Sequence, residues 1–124
     1  MPQRIEVLPA ALFNQAHCTV CLRDGDSALI HKRLPADLLD VGVFVQTPIV
    51  LHVLQGRQHI RHHLGAECLV NAGDVVHLPK GVYAVSDFVA GDQPVFEAMV
   101  YALAPALLHA TVVQARHEIG RASC

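Results

Sequence analysis

The sequence predicts an all-β domain, a sandwich or barrel of short strands. Hydrophobic residues make up 52% of its 124 residues and charged residues 16%, a composition typical of one globular domain. The chain has no Trp, so its core depends on Val, Leu, Ile and Ala, and β-branched side chains favour a sheet. Short apolar or alternating runs recur between Gly and Pro turn signals, as in sandwiches and barrels.

The predicted strands follow one another in short steps. Residues 4–8 form the first strand, which Pro9 ends. Residues 17–23 and 28–34 flank Asp24-Gly25, a dipeptide that favours a hairpin. Residues 35–40 are expected to be a loop or a short helical turn. The remaining predicted strands are residues 41–46, 49–55, 58–63, 67–70, 75–78, 82–89 and 95–103.

The last segment changes period and predicts a helix. Pro105 suits the first position of a helix, where its missing N–H is not needed. Apolar side chains then recur every three or four residues. They are Ala104, Leu107, Leu108, Thr111, Val112, Ala115 and Ile119. We therefore divide the chain into a barrel domain, residues 1–103, and an amphipathic helix or linker, residues 104–124. The apolar stripe either packs on the barrel or pairs two chains.

Charge and cysteine content exclude several classes of function. The net charge is −2 and the only lysines are Lys32 and Lys80, so this chain by itself is not expected to bind nucleic acid. Residues 1–8 lack the apolar run of a secretory leader, and no run is long enough to span a membrane. We expect a cytoplasmic protein whose four cysteines are reduced.

Two glycine-containing motifs indicate a known fold family. The stretch Gly73-Asp74-Val-Val-His-Leu-Pro79-Lys-Gly81 resembles the second conserved motif of cupins, G-x5-P-x-G-x2-H. Gly56 matches the glycine that ends the first motif, G-x5-H-x-H-x3–4-E-x6-G. The resemblance implies a cupin-type, jelly-roll-like β-barrel.

The same resemblance shows where metal ligands would stand in this chain. Ile49 replaces the glutamate, Val43 and Val45 replace the paired histidines, and Ala84 replaces the last histidine. None of these side chains offers a nitrogen or oxygen donor. We therefore expect no metal, no other cofactor and no catalytic residues, but an apolar pocket with a histidine as its polar contact. The predicted pocket comprises Val43, Val45, Ile49, Leu51, Val53, Ala84, His52 and His77.

A narrower resemblance covers most of the chain. The run that begins at Pro48 and the later phrase Tyr101-Ala-Leu-Ala-Pro-Ala-Leu-Leu are similar to the amino-terminal domain of AraC-type transcriptional regulators, in particular the group resembling activators of type III secretion genes. The resemblance implies a sensory domain whose terminal helix joins two copies. It also implies that DNA is read by a carboxy-terminal domain, which has no counterpart after Ile119. The predicted dimerisation residues are Leu107, Leu108, Thr111, Val112 and Ala115.

The signal and two alternatives stay open. The signal is either a small apolar molecule inside the barrel or a regulatory protein on its surface. A stand-alone cupin enzyme or binding protein is the alternative function, and the enzyme would need a metal held by His59, His62, His63 and Cys68. We interpret those histidines as a solvated strand, because a zinc site needs a tetrahedral ligand set.

The remaining candidates receive structural interpretations. Cys18 and Cys21 are spaced as a redox or zinc pair, but strand alternation sends them to opposite faces, so we interpret both as small buried hydrophobic residues. Outside a ligand pocket, His52 and His77 would be hydrogen-bonded core residues.

Overall fold

The computed structural model describes residues 4–25 and 27–103, which form ten strands around one hydrophobic core. The all-β prediction is confirmed, whereas the predicted helix of residues 104–124 lies outside the described residues. The strands are β1 (Arg4–Leu8), β2 (Cys18–Asp24), β3 (Ser27–Leu34), β4 (Leu38–Val45), β5 (Ile49–Gln55), β6 (Arg57–His62), β7 (Glu67–Asn71), β8 (Val75–Leu78), β9 (Tyr83–Val89) and β10 (Phe96–Ala102).

The strands form two five-stranded sheets. The first has the order β1-β4-β9-β6-β7 and the second the order β2-β3-β10-β5-β8. The β1–β4 pair is parallel, and the other described pairs are antiparallel. Strands β9 and β10 lie at the centres of their sheets, while β7 and β8 each form an edge.

Most predicted strand ends lie within one residue of the observed ends, and two segments differ. Strand β4 begins at Leu38, inside the segment expected to be a loop or helical turn. Its early start includes Asp40, which has a positive φ of 56° beside a register shift in the β4–β9 ladder. Ala10–Asn14 forms a short 3-10 helix that was not predicted, and it buries Leu12. Neither feature has the regular period on which the strand predictions rested.

The core is built by alternate residues of the strands. In β9 and β10 every second side chain is buried, as expected of strands with one face inward. The side chains of Ile30, Val45, Ile49, Val53 and Phe96 are fully buried. Phe96 packs edge-to-face against Phe88, with ring centroids 5.3 Å apart. The two sheets therefore share one apolar interior.

Strand β2 departs from this pattern. Two predictions about cysteines are corrected, one for Cys21 on β2 and one for Cys68 on β7. From Thr19 onward every residue of β2 is exposed, so the prediction that Cys21 is buried is wrong. Cys18 packs partly against the core, and burial raises its pKa. Cys68 is disulfide-bonded, contrary to the expectation of reduced thiols. Composition says nothing about which side chains a fold brings together.

No helix within residues 4–25 and 27–103 is long and apolar enough to cross a membrane.

Candidate functional site

The four positions at which the cupin motifs place metal ligands lie in the barrel interior and are occupied here by apolar side chains. Val43 on β4 lies directly opposite Ala84 on β9 in the antiparallel register. Val43 is 3% exposed, and Val45, Ile49 and Ala84 are each 0% exposed. Hydrocarbon side chains have no lone pair to offer a cation. The residues present at these positions therefore do not fit a metal ion.

A small set of polar side chains shares this interior. Among the described residues, the buried polar or charged ones are Glu6, Lys32, Gln58 and Ser86. Lys32 Nζ on β3 lies 4.0 Å from the centroid of the Phe88 ring on β9, so it connects the two sheets by a cation–π contact. Gln58 Nε2 donates to Ser86 Oγ at 3.3 Å. Buried polar groups of this kind are retained in cores when they have such partners.

Glu6 belongs to the same set of buried polar side chains. Its carboxylate is held by Gln15, the residue that follows the short 3-10 helix. Gln15 Nε2 donates to Glu6 Oε2 at 2.7 Å, and the Cys18 thiol donates to Gln15 Oε1 at 3.5 Å. Strand β1, which carries Glu6, is thereby tied to the start of β2.

The space between these polar groups is small. Glu6, Lys32 and Gln58 line a central cavity together with apolar residues that include Val43 and Leu51. Its volume is about 20 Å³, which is enough for about one water molecule. The barrel is therefore a packed core with a polar spot at its centre, not an open binding chamber.

The interior polar set was missed from the sequence, although a signal for it exists. Lys32 alternates with the buried Ile30 and Leu34 on β3, and Ser86 alternates with Ala84 and Phe88 on β9. Strand parity alone would have pointed each of them inward.

The eight predicted pocket residues divide into two groups. Val43, Val45, Ile49, Leu51, Val53 and Ala84 all belong to the hydrophobic core. His52 and His77 alternate with core residues on β5 and β8, so they lie on the opposite face of the second sheet. Burial lowers the pKa of His77, and its Nε2 atom is buried with no hydrogen-bond partner in the described part of the chain. The expectation that His77 is a hydrogen-bonded core residue is wrong for this atom.

The histidine-rich hairpin does not converge on a metal. Within the ladder of β6 and β7, Cys68 lies opposite Ile60, and His59 lies opposite Leu69. Strand alternation therefore places His59 and Cys68 on different faces of the sheet. His59 instead lies 3.6 Å from Glu67 and 3.9 Å from Asp87, and His62 stacks on His63 with centroids 4.4 Å apart. Across the described ranges, no group of three or more His, Cys, Asp or Glu side chains is arranged as metal ligands.

An ion-pair network occupies the outer face of the first sheet beside these histidines. Arg61 Nη1 on β6 donates to Asp87 Oδ2 on β9 at 2.6 Å, and its Nη2 donates to Asp40 Oδ1 on β4 at 2.9 Å. Burial raises the pKa of Asp87, but hydrogen bonds from Arg61 and from the Asp40 backbone N–H outweigh it and hold the pKa below its usual value. The network joins three neighbouring strands, and we interpret it as structural.

The cupin-like motif residues form turns. Gly56, Gly73 and Gly81 all have positive φ angles. Asp74 Oδ2 accepts the backbone N–H of Asn71 at 3.0 Å, which closes the turn between β7 and β8. Gly81 N donates to Val45 O at 2.7 Å, so the Pro79–Gly81 turn is fastened to β4. These residues therefore resemble the cupin motif because they form the turns that connect the strands of this fold.

Comparison with solved structures identifies the fold. A cupin superfamily protein from Desulfitobacterium hafniense superposes with a TM-score of 0.61 at 12% identity, covering 73% of this chain and 78% of that one. An RmlC-like cupin family protein from Methanocaldococcus jannaschii gives 0.59 at 15% identity, covering 74% and 84%. The DMSP lyase DddQ from Ruegeria pomeroyi gives 0.57 at 17% identity, covering 71% and 46%.

These likenesses show that the chain has the cupin fold, a double-stranded β-helix. The sequence matches no protein-family model and none of the curated proteins. The cupin prediction is confirmed at the level of the fold.

Proposed function

We propose that this chain is the regulatory domain of an AraC-type transcription regulator, a cupin that senses a signal and forms dimers and does not act as an enzyme. The observation that carries the proposal is the buried, apolar character of Val43, Val45, Ile49 and Ala84. Metal-dependent chemistry needs nitrogen or oxygen donors where these side chains stand. The sequence resemblance to the amino-terminal domains of AraC-type regulators supplies the particular class.

The size of the central cavity favours a signal received at the surface. A volume of about 20 Å³ holds about one water molecule, so a larger ligand at the centre would have to displace core side chains. A regulatory protein or a ligand bound nearer the surface needs no such rearrangement. In either case the signal must bind one arrangement of the domain pair more tightly than the other, because equal affinity shifts no equilibrium.

The dimer is tested by the mass of the protein in light scattering. We expect a dimer, and we expect Leu107→Glu combined with Leu108→Glu to halve its mass, because charges on an apolar seam resist burial. The matched control is His109→Glu combined with Arg116→Glu, which changes the opposite side of the predicted helix and should leave the mass unchanged. A dimer that survives the leucine substitutions would contradict this mode of pairing.

The alternative, a stand-alone cupin enzyme or binding protein, has one observation in its favour. Glu6, Lys32 and Gln58 place charged and polar groups together in the barrel, where a low dielectric strengthens their interactions. Elemental analysis separates an enzyme from a regulator, since a stoichiometric transition metal in purified protein would favour the enzyme. A gene that continues past Cys124 in frame, with two helix-turn-helix patterns, would support the regulator. A stop codon there would count against it.

A further inference from the structure

The disulfide bond of Cys68 on β7 indicates a contact with a segment that follows β10. The chain has four cysteines, and Cys68 is disulfide-bonded while Cys18 and Cys21 are free. Cys124, which lies outside the described residues, is the cysteine that remains as a partner for Cys68. The Cα atoms of two disulfide-bonded cysteines lie about 4–7 Å apart. A bond between Cys68 and Cys124 would therefore hold the backbone around Cys124 against β7.

A cavity lies beside Cys68, where the edges of the two sheets meet. Strand β7 is an edge of the first sheet and β8 an edge of the second, and residues of both line a pocket of about 210 Å³. We call it the seam pocket. Cys68 lines it and packs partly against the core. The apolar side chains of the lining include Ile60, Val76, Leu78 and Val82. A segment bonded to Cys68 would therefore lie against an apolar pocket.

The described chain ends close to this pocket. In the second sheet Ala102 of β10 pairs with Ile49 of β5, and Ile49 pairs with Leu78 of β8. Leu78 lines the seam pocket. Because neighbouring strands lie about 4.8 Å apart, Ala102 is about 10 Å from Leu78. Residues 104–124 span about 30 Å even as one continuous helix, so they are long enough to reach the pocket.

The residues before Cys124 are complementary to the lining of this pocket. An apolar cavity of about 150 Å³ in another protein binds benzene, so about 210 Å³ has room for the smaller side chain of Ile119. Arg121 is positively charged, whereas Glu67, which lines the pocket and is 64% exposed, is negatively charged. An exposed ion pair contributes little by itself. Burial of Ile119 would therefore supply most of the stabilisation.

We propose that residues 119–124 dock on the seam pocket of their own chain, with the side chain of Ile119 inside it. A disulfide bond between Cys68 and Cys124 fastens the segment. Formation of the bond removes two electrons and two protons from the two thiols. The acceptor is a small disulfide such as oxidised glutathione, which becomes two thiols, and a dithiol reverses the step. The inference concerns this chain alone and does not depend on a role in transcription.

Peptide mapping tests the disulfide bond. Free thiols are alkylated without reduction, and trypsin then releases residues 62–80, which contain Cys68, and residues 122–124, which contain Cys124. We expect mass spectrometry to find these two peptides joined, and to find residues 5–23 with both of their cysteines alkylated. Non-reducing gel electrophoresis should show the size of one chain, because the proposed bond lies within it.

A glutathione buffer tests the docking. The ratio of oxidised to reduced glutathione at which half of Cys68 is bonded measures the effective concentration of Cys124 beside it. Ile119→Glu should shift this balance toward the thiols by about tenfold, because a carboxylate resists burial in an apolar pocket. The control His117→Glu adds the same charge on the opposite side of the apolar stripe, and it should shift the balance less than about twofold.

Three outcomes would overturn the proposal. They are the absence of a joined peptide, a joined peptide found only at the size of two chains, and equal shifts for Ile119→Glu and His117→Glu. The second outcome would mean that the segment docks on a partner chain. None of these measurements uses the mass of the native protein, so failure here is distinguishable from failure of the proposed dimer.

Discussion

Gly56 shows at the scale of one residue why the turn after β5 cannot carry a side chain. Its φ is +80°, and a Cβ built on it would lie 2.4 Å from Val89 O and 3.2 Å from Ala90 Cα. Both are backbone atoms, which cannot rotate away as the end of a side chain can. Two independent costs therefore coincide, a left-handed backbone and a clash with a neighbouring strand.

We predict that Gly56→Ala destabilises the domain far more than Gly73→Ala. Gly73 has a similar φ of +93°, but a Cβ there meets no atom within 4 Å. Gly73→Ala should cost about 1 kcal/mol from backbone strain alone, and Gly56→Ala more than about 2 kcal/mol. Chemical denaturation of both variants measures the difference in free energy of unfolding. Equal losses would show that the close approach at Gly56 is not rigid.

At the scale of elements, Arg61 connects β6 to its neighbours through side chains. It bonds Asp87 on β9 and Asp40 on β4, while the Asp40 N–H donates to Asp87 Oδ1 at 2.8 Å. Because Arg61 and Asp40 are 33% and 64% exposed, solvent screens much of this attraction. These side-chain ion pairs therefore supplement the backbone hydrogen bonds that already pair β4 and β6 with β9.

We predict that Arg61→Ala lowers the free energy of unfolding by about 0.5–1 kcal/mol at pH 7, after allowance for solvent screening. Since the pKa of Asp87 is lower in the folded state than in the unfolded one, this stability is present above the ordinary aspartate pKa of 3.8. It is lost as the pH falls through the folded-state pKa. Denaturation from pH 7 to pH 2 should show a shallower acid loss in the variant. Arg57→Ala, an exposed arginine of the same strand, should leave the pH dependence unchanged.

At the scale of the whole molecule, Phe96 joins the two sheets. It begins β10 in the second sheet, is 0% exposed and packs against Phe88 of β9 in the first. It also lies near the tight turn at Gly56, 3.3 Å from where a Cβ would stand. Removal of its ring would leave a void between sheets that cannot easily collapse.

We predict that Phe96→Ala destabilises the domain by about 3–5 kcal/mol, the range of large-to-small core substitutions. Leu64→Ala is the control, because Leu64 is 80% exposed and should change the free energy of unfolding by less than about 0.5 kcal/mol. Thermal and denaturant unfolding measure both. A small effect at Phe96 would mean that the two sheets can close around the missing ring.

Local sequence signals predicted most of the strands. Strand β5 has the predicted bounds, and the Asp24-Gly25 hairpin joins β2 to β3 in antiparallel register. Strand period and turn chemistry are properties of a few neighbouring residues, so they can be read without knowing the fold. The short 3-10 helix, the early start of β4 and the exposed position of Cys21 depend on what lies next to each segment, and were missed.

The sequence by itself determined the fold class, the turns and the apolar identity of Val43, Val45, Ile49 and Ala84, because each depends on local pattern or on matching a motif. Only the tertiary structure decided that Lys32 reaches Phe88 across the barrel, and that the buried Nε2 atom of His77 has no hydrogen-bond partner among the described residues. The Lys32–Phe88 contact joins β3 and β9, two strands far apart in the chain. Their geometry follows from sheet order, which no local period encodes.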